Sequence, residues 1–190
     1  MLIALAALLG LVLLSAILLV STYNGLVQRR NQTENAWSQI DVQLKRRFDL
    51  IPNLVETAKG YLKHERETLE AVMAARNQAV SLAAASKHPS AKSVRAATNF
   101  EGALGRLMAV VEGYPDLKAN ASMQQVTEEL TSTENRIGFA RQAYNDAATD
   151  YQNACQVFPA SLVASIFRFE PLPLWKIERS QEREAPTVRF

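Results

Sequence analysis

The chain begins with the stretch LIALAALLGLVLLSAILLV, residues 2–20, which carries no charge and is diluted only by Gly10 and Ser15. A helix rises about 1.5 Å per residue, so this stretch spans the roughly 30 Å hydrocarbon core of a bilayer. We therefore predict a membrane anchor over residues 1–23, ending at an interfacial aromatic residue. Its anchoring residues are Leu2, Leu5, Leu8, Leu9, Leu11, Val12, Leu13, Leu14, Ile17, Leu18, Leu19, Val20 and Tyr23.

A cleaved signal peptide is the alternative interpretation of this stretch. Signal peptides carry a basic segment, then an apolar core of about 7–15 residues and a small-x-small cleavage site. Here no Lys or Arg precedes the apolar run, the run is longer, and Leu19-Val20-Ser21 is a poor cleavage site. We expect a retained single-pass anchor. Arg29 and Arg30 follow the span, which predicts an outer N-terminus and a cytoplasmic remainder.

The composition limits the classes to which the rest of the chain can belong. About 170 residues follow the span, enough for one domain with its own core. The 21 basic and 19 acidic side chains are interspersed and give a formal net charge of +2, which does not suggest a nucleic-acid-binding surface. Cys155 is the only cysteine, so no internal disulfide can form.

Helical periodicity dominates the residues after the anchor, and no strand-like alternation occurs. Apolar residues from Leu26 to Ile51 recur at helical spacing, so we expect the anchor to continue into a bundle helix without a linker. Pro52 allows either a kink, followed by one helix as far as Ala85, or a hairpin. The predicted fold is all-α, an N-terminal transmembrane helix followed by an antiparallel bundle of three to four long helices.

Two breaks separate the later helices. Pro89 bars helix continuation, and Ser90 can cap the helix that follows. Residues 114–120 form the second break, before a predicted capping box of Ser122 and Gln125.

The helices after these breaks carry two further signals. Gly102 and Gly105 lie inside the first of them, where glycine costs about 1 kcal/mol relative to alanine. We therefore expect a neighbouring helix to approach closely there. The last long helix carries apolar residues at alternating spacings of three and four from Met123 to Phe158. This seam predicts close packing against another helix of the same chain or of a second copy.

The C-terminal segment is apolar, but Pro171 and Pro173 prevent a long helix there. Residues 160–177 therefore form a patch that the bundle, a second subunit or the membrane surface must cover. Residues 178–190 are charged and are predicted to be flexible. With a bundle over residues 24–159, these segments complete the predicted domain organisation.

Residues typical of catalysis are nearly absent from the sequence. His64-Glu65 begins like a zinc-binding helix but lacks the second histidine four residues later, and His88 is the only other histidine. The sequence therefore predicts no catalytic residues, no metal site and no cofactor. An enzymatic interpretation would need a site built from residues such as Lys59, His64 and Glu65.

Ten short segments, spread in order along nearly the whole chain, have a distinctive sequence. They are YNGLV (23–27), RN (30–31), AWSQIDVQLKRR (36–47), DLIPNLVET (49–57), KGY (59–61), HE (64–65), EGYPDLKAN (112–120), TENRI (133–137), ARQAYND (140–146) and FP (158–159). These segments closely resemble the bacterial LemA family. The resemblance implies a single-pass protein of the bacterial inner membrane with a long-helix bundle and no established catalytic activity. Magnetosome proteins of the MamQ type are similar in architecture, which associates this kind of domain with membrane organisation.

Together these observations predict a membrane-anchored homo-oligomeric scaffold, in which helices of neighbouring copies pack laterally above the bilayer and organise or remodel it. The expected partners are membrane lipid and further copies of the chain, with a membrane protein as a further candidate and no nucleic acid or small-molecule substrate. The alternative is a monomeric adaptor that presents a partner to a membrane protease or signalling complex. The residues predicted for helix packing or subunit contacts are Trp37, Ile40, Leu44, Leu130, Ile137, Tyr144, Tyr151, Phe167 and Trp175.

Overall fold

The computed structural model describes residues 1–85 and 90–175, and every regular element in these ranges is an α-helix. The helices are α1 (Leu2–Lys59), α2 (Arg66–Ala84), α3 (Ala91–Glu112), α4 (Pro115–Lys118), α5 (Ala121–Gln156) and α6 (Ala160–Ile166). The all-α prediction is confirmed. α1 leads from the apolar N-terminal stretch into a bundle with α2, α3 and α5, which share one apolar core.

The first helix, α1, is continuous over 58 residues. At about 1.5 Å per residue it is about 87 Å long. From Leu26 onward one face of α1 is buried, with Trp37, Ile40, Leu44 and Ile51 among its core residues. The predicted passage from anchor to bundle without a linker is confirmed.

Pro52 lies inside α1, which continues to Lys59, so the hairpin alternative is excluded. Proline has no amide hydrogen, and the carbonyl oxygen of Phe48, four residues earlier, therefore lacks its helical donor. Arg76 of α2 supplies one, with its Nε 3.2 Å from that oxygen. A neighbouring helix thus satisfies the group that proline leaves free.

The expectation of one helix as far as Ala85 is wrong. Residues 60–65 form a turn, and α2 then returns antiparallel along α1. Leu62 in this turn is buried in the core, and its amide lies 2.9 Å from the carbonyl oxygen of Ala58. The apolar period that crosses the turn belongs to two helices that face the same core, which is why the sequence alone does not reveal the break.

The start of α3 agrees with the sequence and the start of α5 does not. Ser90 caps α3 in a capping box with Ser93. α5 is instead capped by Asn120, whose Oδ1 lies 3.2 Å from the amide nitrogen of Met123, so the predicted box of Ser122 and Gln125 is wrong. The short helix α4 leaves Asn120 in an extended conformation, the geometry that a capping residue requires.

The expectation of a close helix contact at Gly102 and Gly105 is also wrong. A Cβ atom added at either position would meet nothing within 4 Å. α3 and α5 are separated here by a cleft, which Gly105 lines.

Candidate functional site

The N-terminal part of α1 is long and apolar enough to cross a membrane, and its apolar window is not buried against the rest of the described chain. The predicted anchoring residues from Leu2 to Val20 are exposed, and Tyr23 is half-buried. The hydroxyl groups of Ser15 and Thr22 donate to carbonyl oxygens four residues earlier, at 2.8 and 2.7 Å. These bonds satisfy hydroxyl groups that would be costly to leave free in lipid.

Tyr23 marks the point where the apolar part of α1 meets the C-terminal segment. Its ring centroid lies 4.8 Å from that of Phe167 and 5.6 Å from that of Phe169. Arg168, between them, has a φ of 54°, a left-handed conformation that costs a non-glycine residue about 1–2 kcal/mol. This reversal of the backbone lets both rings contact Tyr23 while the Arg168 side chain stays exposed.

Helix α6 lies at the same end of the bundle and has two different faces. Val163 and Ala164 are buried against Leu26 in a small apolar cluster separate from the main core. The other face is exposed and apolar. We call the exposed surface of Leu162 and Ile166 on this face, together with Phe158 in the turn just before α6, the α6 stripe.

The predicted seam of α5 packs against α1 of the same chain. The rings of Trp37 and Tyr144 lie 5.4 Å apart in an edge-on arrangement. Further from the anchor, Nη2 of the buried Arg47 donates to Oε2 of Glu134 at 3.2 Å. These contacts run antiparallel and fix the register of the two helices.

The segment after α6 docks on α5 through side chains of α5. Asn145 makes two hydrogen bonds to the backbone of Trp175. Its Nδ2 donates to the Trp175 carbonyl at 3.1 Å, and its Oδ1 accepts from the Trp175 amide at 2.9 Å. The Trp175 ring then lies 5.7 Å from that of Trp37. Of the three possible covers for the C-terminal apolar patch, the bundle of the same chain covers residues 172–175.

Burial raises the pKa of three side chains of α5, those of Tyr144, Tyr151 and Cys155. It raises the pKa of the Tyr144 hydroxyl above its ordinary value and that of Tyr151 to about 12. Burial likewise raises the pKa of the Cys155 thiol, although a hydrogen bond to Tyr151 opposes the change. These groups are therefore neutral at physiological pH, and the Cys155 thiol is a poor nucleophile.

Nearly all the residues predicted for helix packing or subunit contacts lie in the interior of a single copy. Phe167 is the exception, and it is half exposed beside Tyr23. The side chains that the bundle does offer to a neighbour are different ones. Val42 on α1 is 59% exposed and Phe139 on α5 is 76% exposed.

A cleft of about 560 Å³ lies between α3 and α5. Nη1 of Arg141 lies 3.4 Å from Oε2 of Glu101, and its guanidinium carbon lies 5.1 Å from the ring centroid of Trp175. Arg47 also lines the cleft, and its Nε and the Nε1 of Trp175 are buried without a hydrogen-bond partner in the described part of the chain. Two such donors suit an acceptor oxygen, as in water or a carbonyl group.

The residues that an enzymatic site would need lie at the far end of α1. Lys59 pairs with Glu56 at 2.9 Å, and His64 and Glu65 lie in the turn before α2. Within residues 1–85 and 90–175, no group of three or more His, Cys, Asp or Glu side chains is placed to hold a metal ion. His88, residues 176–177 of the predicted tail and the predicted flexible segment 178–190 lie outside the described residues.

Sequence reasoning placed Leu162 and Ile166 in the apolar patch of residues 160–177 but did not identify them as its exposed part, and it missed the exposed pair Val42 and Phe139. A signal for the pair was present, because each lies two residues after an isoleucine of the core stripe, Ile40 or Ile137. Two residues are about 200° around a helix, so such a position points away from the core. The α6 stripe had no comparable signal, because its helix is too short to show a period.

A long apolar helix that continues into an antiparallel bundle defines a class of proteins, helical bundles held at a membrane by one N-terminal helix. Residues 36–190 match the LemA family, and the chain belongs to this family. The resemblance read from the ten segments is thereby confirmed. The apolar helix and the family relationship together describe a membrane-associated protein.

Individual relatives agree with this assignment. Protein LemA of Metamycoplasma hominis is 28% identical over 174 residues, which cover 89% of this chain and 73% of the relative. Magnetosome protein MamQ 2 of Paramagnetospirillum magneticum is 27% identical over 204 residues, which cover 94% of this chain and 73% of the relative. Magnetosome protein MamQ of Magnetospirillum gryphiswaldense is 25% identical over 173 residues, which cover 80% of this chain and 64% of the relative. None of these names specifies a reaction.

Proposed function

We propose that this protein is a non-catalytic, homo-oligomeric scaffold that organises or remodels the bacterial inner membrane. The N-terminus faces outward and the bundle stands in the cytoplasm. The observation that carries the proposal is the continuity of α1 from the apolar stretch into the core. An unbroken helix holds the bundle at a fixed height above the bilayer, because no flexible residue separates the two parts.

Fixed height restricts the contacts that neighbouring copies can make. Copies anchored in one bilayer with the same orientation are related by rotation about the membrane normal or by translation in its plane. Residues in contact across a lateral interface must therefore lie at the same height. An interface that builds assemblies larger than a dimer must also join two different faces of the protein, so that further copies can add side by side.

Val42 and Phe139 meet both conditions. Trp37 lies opposite Tyr144 and Arg47 opposite Glu134, so Val42 of α1 and Phe139 of α5 lie at nearly the same height. Each lies about 200° around its helix from a core isoleucine and is exposed, so the two residues lie on outward-facing surfaces of two different helices. An exposed phenylalanine on one copy can pack against the valine face of the next.

The relatives support an association with membrane structure. Three of the proteins to which the chain is similar carry the name magnetosome protein. A scaffold that spaces or bends a bilayer by lateral packing suits such a setting. Confinement to two dimensions raises the local concentration of copies, so weak lateral contacts suffice.

Disulfide cross-linking in membranes tests the lateral interface. In a Cys155→Ala background, a protein carrying both Val42→Cys and Phe139→Cys is expected to form a ladder of cross-linked oligomers on mild oxidation. The matched control pairs Val42→Cys with Thr131→Cys, which is exposed but lies about 12 Å further from the membrane along α5. A ladder in the control as well, or only monomers in both, would overturn the proposed interface.

Orientation is tested separately by labelling. His64→Cys, exposed in the turn after α1, is expected to resist a membrane-impermeant thiol reagent in intact cells and to react after lysis. Labelling in intact cells would contradict a cytoplasmic bundle.

The second candidate function is a monomeric adaptor for a membrane protease or signalling complex. Burial of most of the predicted subunit contacts inside one copy favours it, because fewer apolar side chains remain for self-association. A monodisperse monomer in mild detergent, together with one stoichiometric partner cross-linked through position 139, would support the adaptor over the scaffold.

A further inference from the structure

We propose that α6 lies in the headgroup region of the bilayer that holds α1, with the α6 stripe immersed in lipid. The bundle would then contact the membrane at two places, through its anchor and through a short surface helix. This inference rests on the membrane anchoring in the proposed function and is independent of oligomerisation.

The register of α1 and α5 brings α6 to the level of the membrane surface. Nη1 of Arg29 lies 3.5 Å from Oδ2 of Asp150. α5 ends at Gln156, six residues nearer the anchor, and six residues before Arg29 is Tyr23. The continuous apolar run ends at Val20, only about 5 Å further along the helix. α6, which follows α5, therefore lies beside the end of the predicted span.

The two faces of α6 fit an interface between water and lipid. Its inner face is buried on Leu26, whereas Phe158, Leu162 and Ile166 are 75%, 57% and 70% exposed. Leu162 and Ile166, four residues apart, lie on one face of α6, and the exposed Phe158 lies in the turn two residues before this helix begins. Exposed apolar patches on soluble domains mark binding surfaces, and here the hydrocarbon of the bilayer lies directly beside the patch.

The residues that follow α6 are those typical of a headgroup layer. Phe167 is half exposed and its ring contacts that of Tyr23 in a tilted arrangement, and tyrosine is enriched at membrane interfaces. The next residue, Arg168, exposes a cationic side chain, which suits lipid phosphate groups. The left-handed backbone of Arg168 is what turns the chain between the two phenylalanines.

A helix of seven residues would bind a bilayer weakly if it were free. Here α1 tethers it, so its contact with lipid is intramolecular and needs little affinity. A second contact beside the anchor sets the tilt of α1 and the rotation of the bundle about it, which a single spanning helix leaves open.

Nitroxide labels on the full chain test the placement. In the Cys155→Ala background, single cysteines at Gly10, Ile166 and Thr149 are labelled, and the protein is reconstituted in vesicles of phosphatidylethanolamine and phosphatidylglycerol. Gly10 lies within the apolar run, and Thr149 is an exposed α5 residue about 10 Å above the end of that helix. The measured quantity is the ratio of collisions with oxygen, which enters lipid, to collisions with a water-soluble nickel chelate.

The expected ratio falls in the order Gly10, Ile166, Thr149, and a label at Leu162 behaves like that at Ile166. A ratio at Ile166 equal to that at Thr149, with Gly10 still high, would overturn the inference and leave the anchor intact. A low ratio at Gly10 would instead overturn the membrane anchoring of the proposed function. Spin–spin broadening at Ile166 that vanishes on dilution with unlabelled protein would show that a second copy covers the stripe, and it would also overturn the inference. Circular dichroism of each labelled protein checks that the helices remain.

Discussion

The Nε atom of Arg76 lies 3.2 Å from the carbonyl oxygen of Phe48, the carbonyl that Pro52 deprives of its helical hydrogen bond. Arg76 also lies 3.9 Å from the carboxylate of Asp49. α2 therefore contacts α1 at the point where α1 has a free backbone acceptor. This relationship explains how a long helix contains a proline near its end and still remains continuous.

The effects of Pro52→Ala and Arg76→Ala on the free energy of unfolding should be coupled. Arg76→Ala alone leaves the Phe48 carbonyl without a donor and is expected to destabilise the fold by about 1–3 kcal/mol. In a Pro52→Ala background the restored amide serves that carbonyl, so the same change should cost about 1 kcal/mol less. Thermal unfolding followed by circular dichroism in mild detergent measures the four proteins of the cycle. Additive effects would contradict the link, and Asp49→Ala serves as the control for the ion pair.

The two ion pairs between α1 and α5 should differ in their effect on stability. Glu134→Ala removes the carboxylate that pairs with the buried Arg47 and should cost about 1–3 kcal/mol. Asp150→Ala removes the partner of the exposed Arg29 and should cost less than about 1 kcal/mol. Equal losses for the two variants would show that burial of Arg47 is unimportant. Arg47→Met is expected to restore stability in the Glu134→Ala background, because it removes the buried charge and keeps the apolar stem.

Gly105→Ala should stabilise the protein by about 0.5–1 kcal/mol, because alanine is the better helix former and its methyl group meets open space. Gly113→Ala is the matched comparison. A Cβ atom there would lie 3.3 Å from the carbonyl oxygen of Val110, and Gly113 caps the end of α3 instead of lying inside it. We expect no gain at that position. A loss of stability for Gly105→Ala would mean that another group fills the cleft.

Stability should fall in alkaline solution. The folded state holds the pKa of Tyr151 at about 12 and raises that of Tyr144, against an ordinary value of 10.0. Each tyrosine contributes its full stabilisation of the folded state below about pH 10, which is the pKa of tyrosine in the unfolded chain. This stabilisation is lost as the pH rises towards the folded pKa, by up to about 1.4 kcal/mol per pH unit for each group.

Tyr144→Phe tests the origin of this dependence. The variant should lose stability at neutral pH, because the carbonyl of Pro173 loses its donor, and should show a shallower decline above pH 10. The measurement is the thermal midpoint as a function of pH. A decline as steep as that of the unchanged protein would assign the alkaline loss to other groups.

Helical periodicity in the sequence predicted the packing of the long helices but not which of their residues stay exposed. The seam of α5 was visible in the sequence because its apolar residues repeat over many turns, and its contact with α1 confirms the pattern. The exposure of Phe139, and which part of the predicted apolar patch 160–177 stays exposed as the α6 stripe, were not predicted, because exposure depends on which surface remains uncovered after the chain has folded. The turn at residues 60–65 was missed for a related reason, since the helices on its two sides share one core.

The sequence by itself determined the class of this protein: an uncharged apolar run long enough to span a bilayer, all-helical periodicity after it and the signature of the LemA family. These properties are local, because hydrophobic length and helical period are written in neighbouring residues. Only the tertiary structure decided that α2 folds back to serve the Phe48 carbonyl, that Trp175 covers Trp37, and that α6 lies beside Tyr23. Each of these depends on residues distant in sequence, whose contact lowers the free energy only when the helices on both sides are already in register.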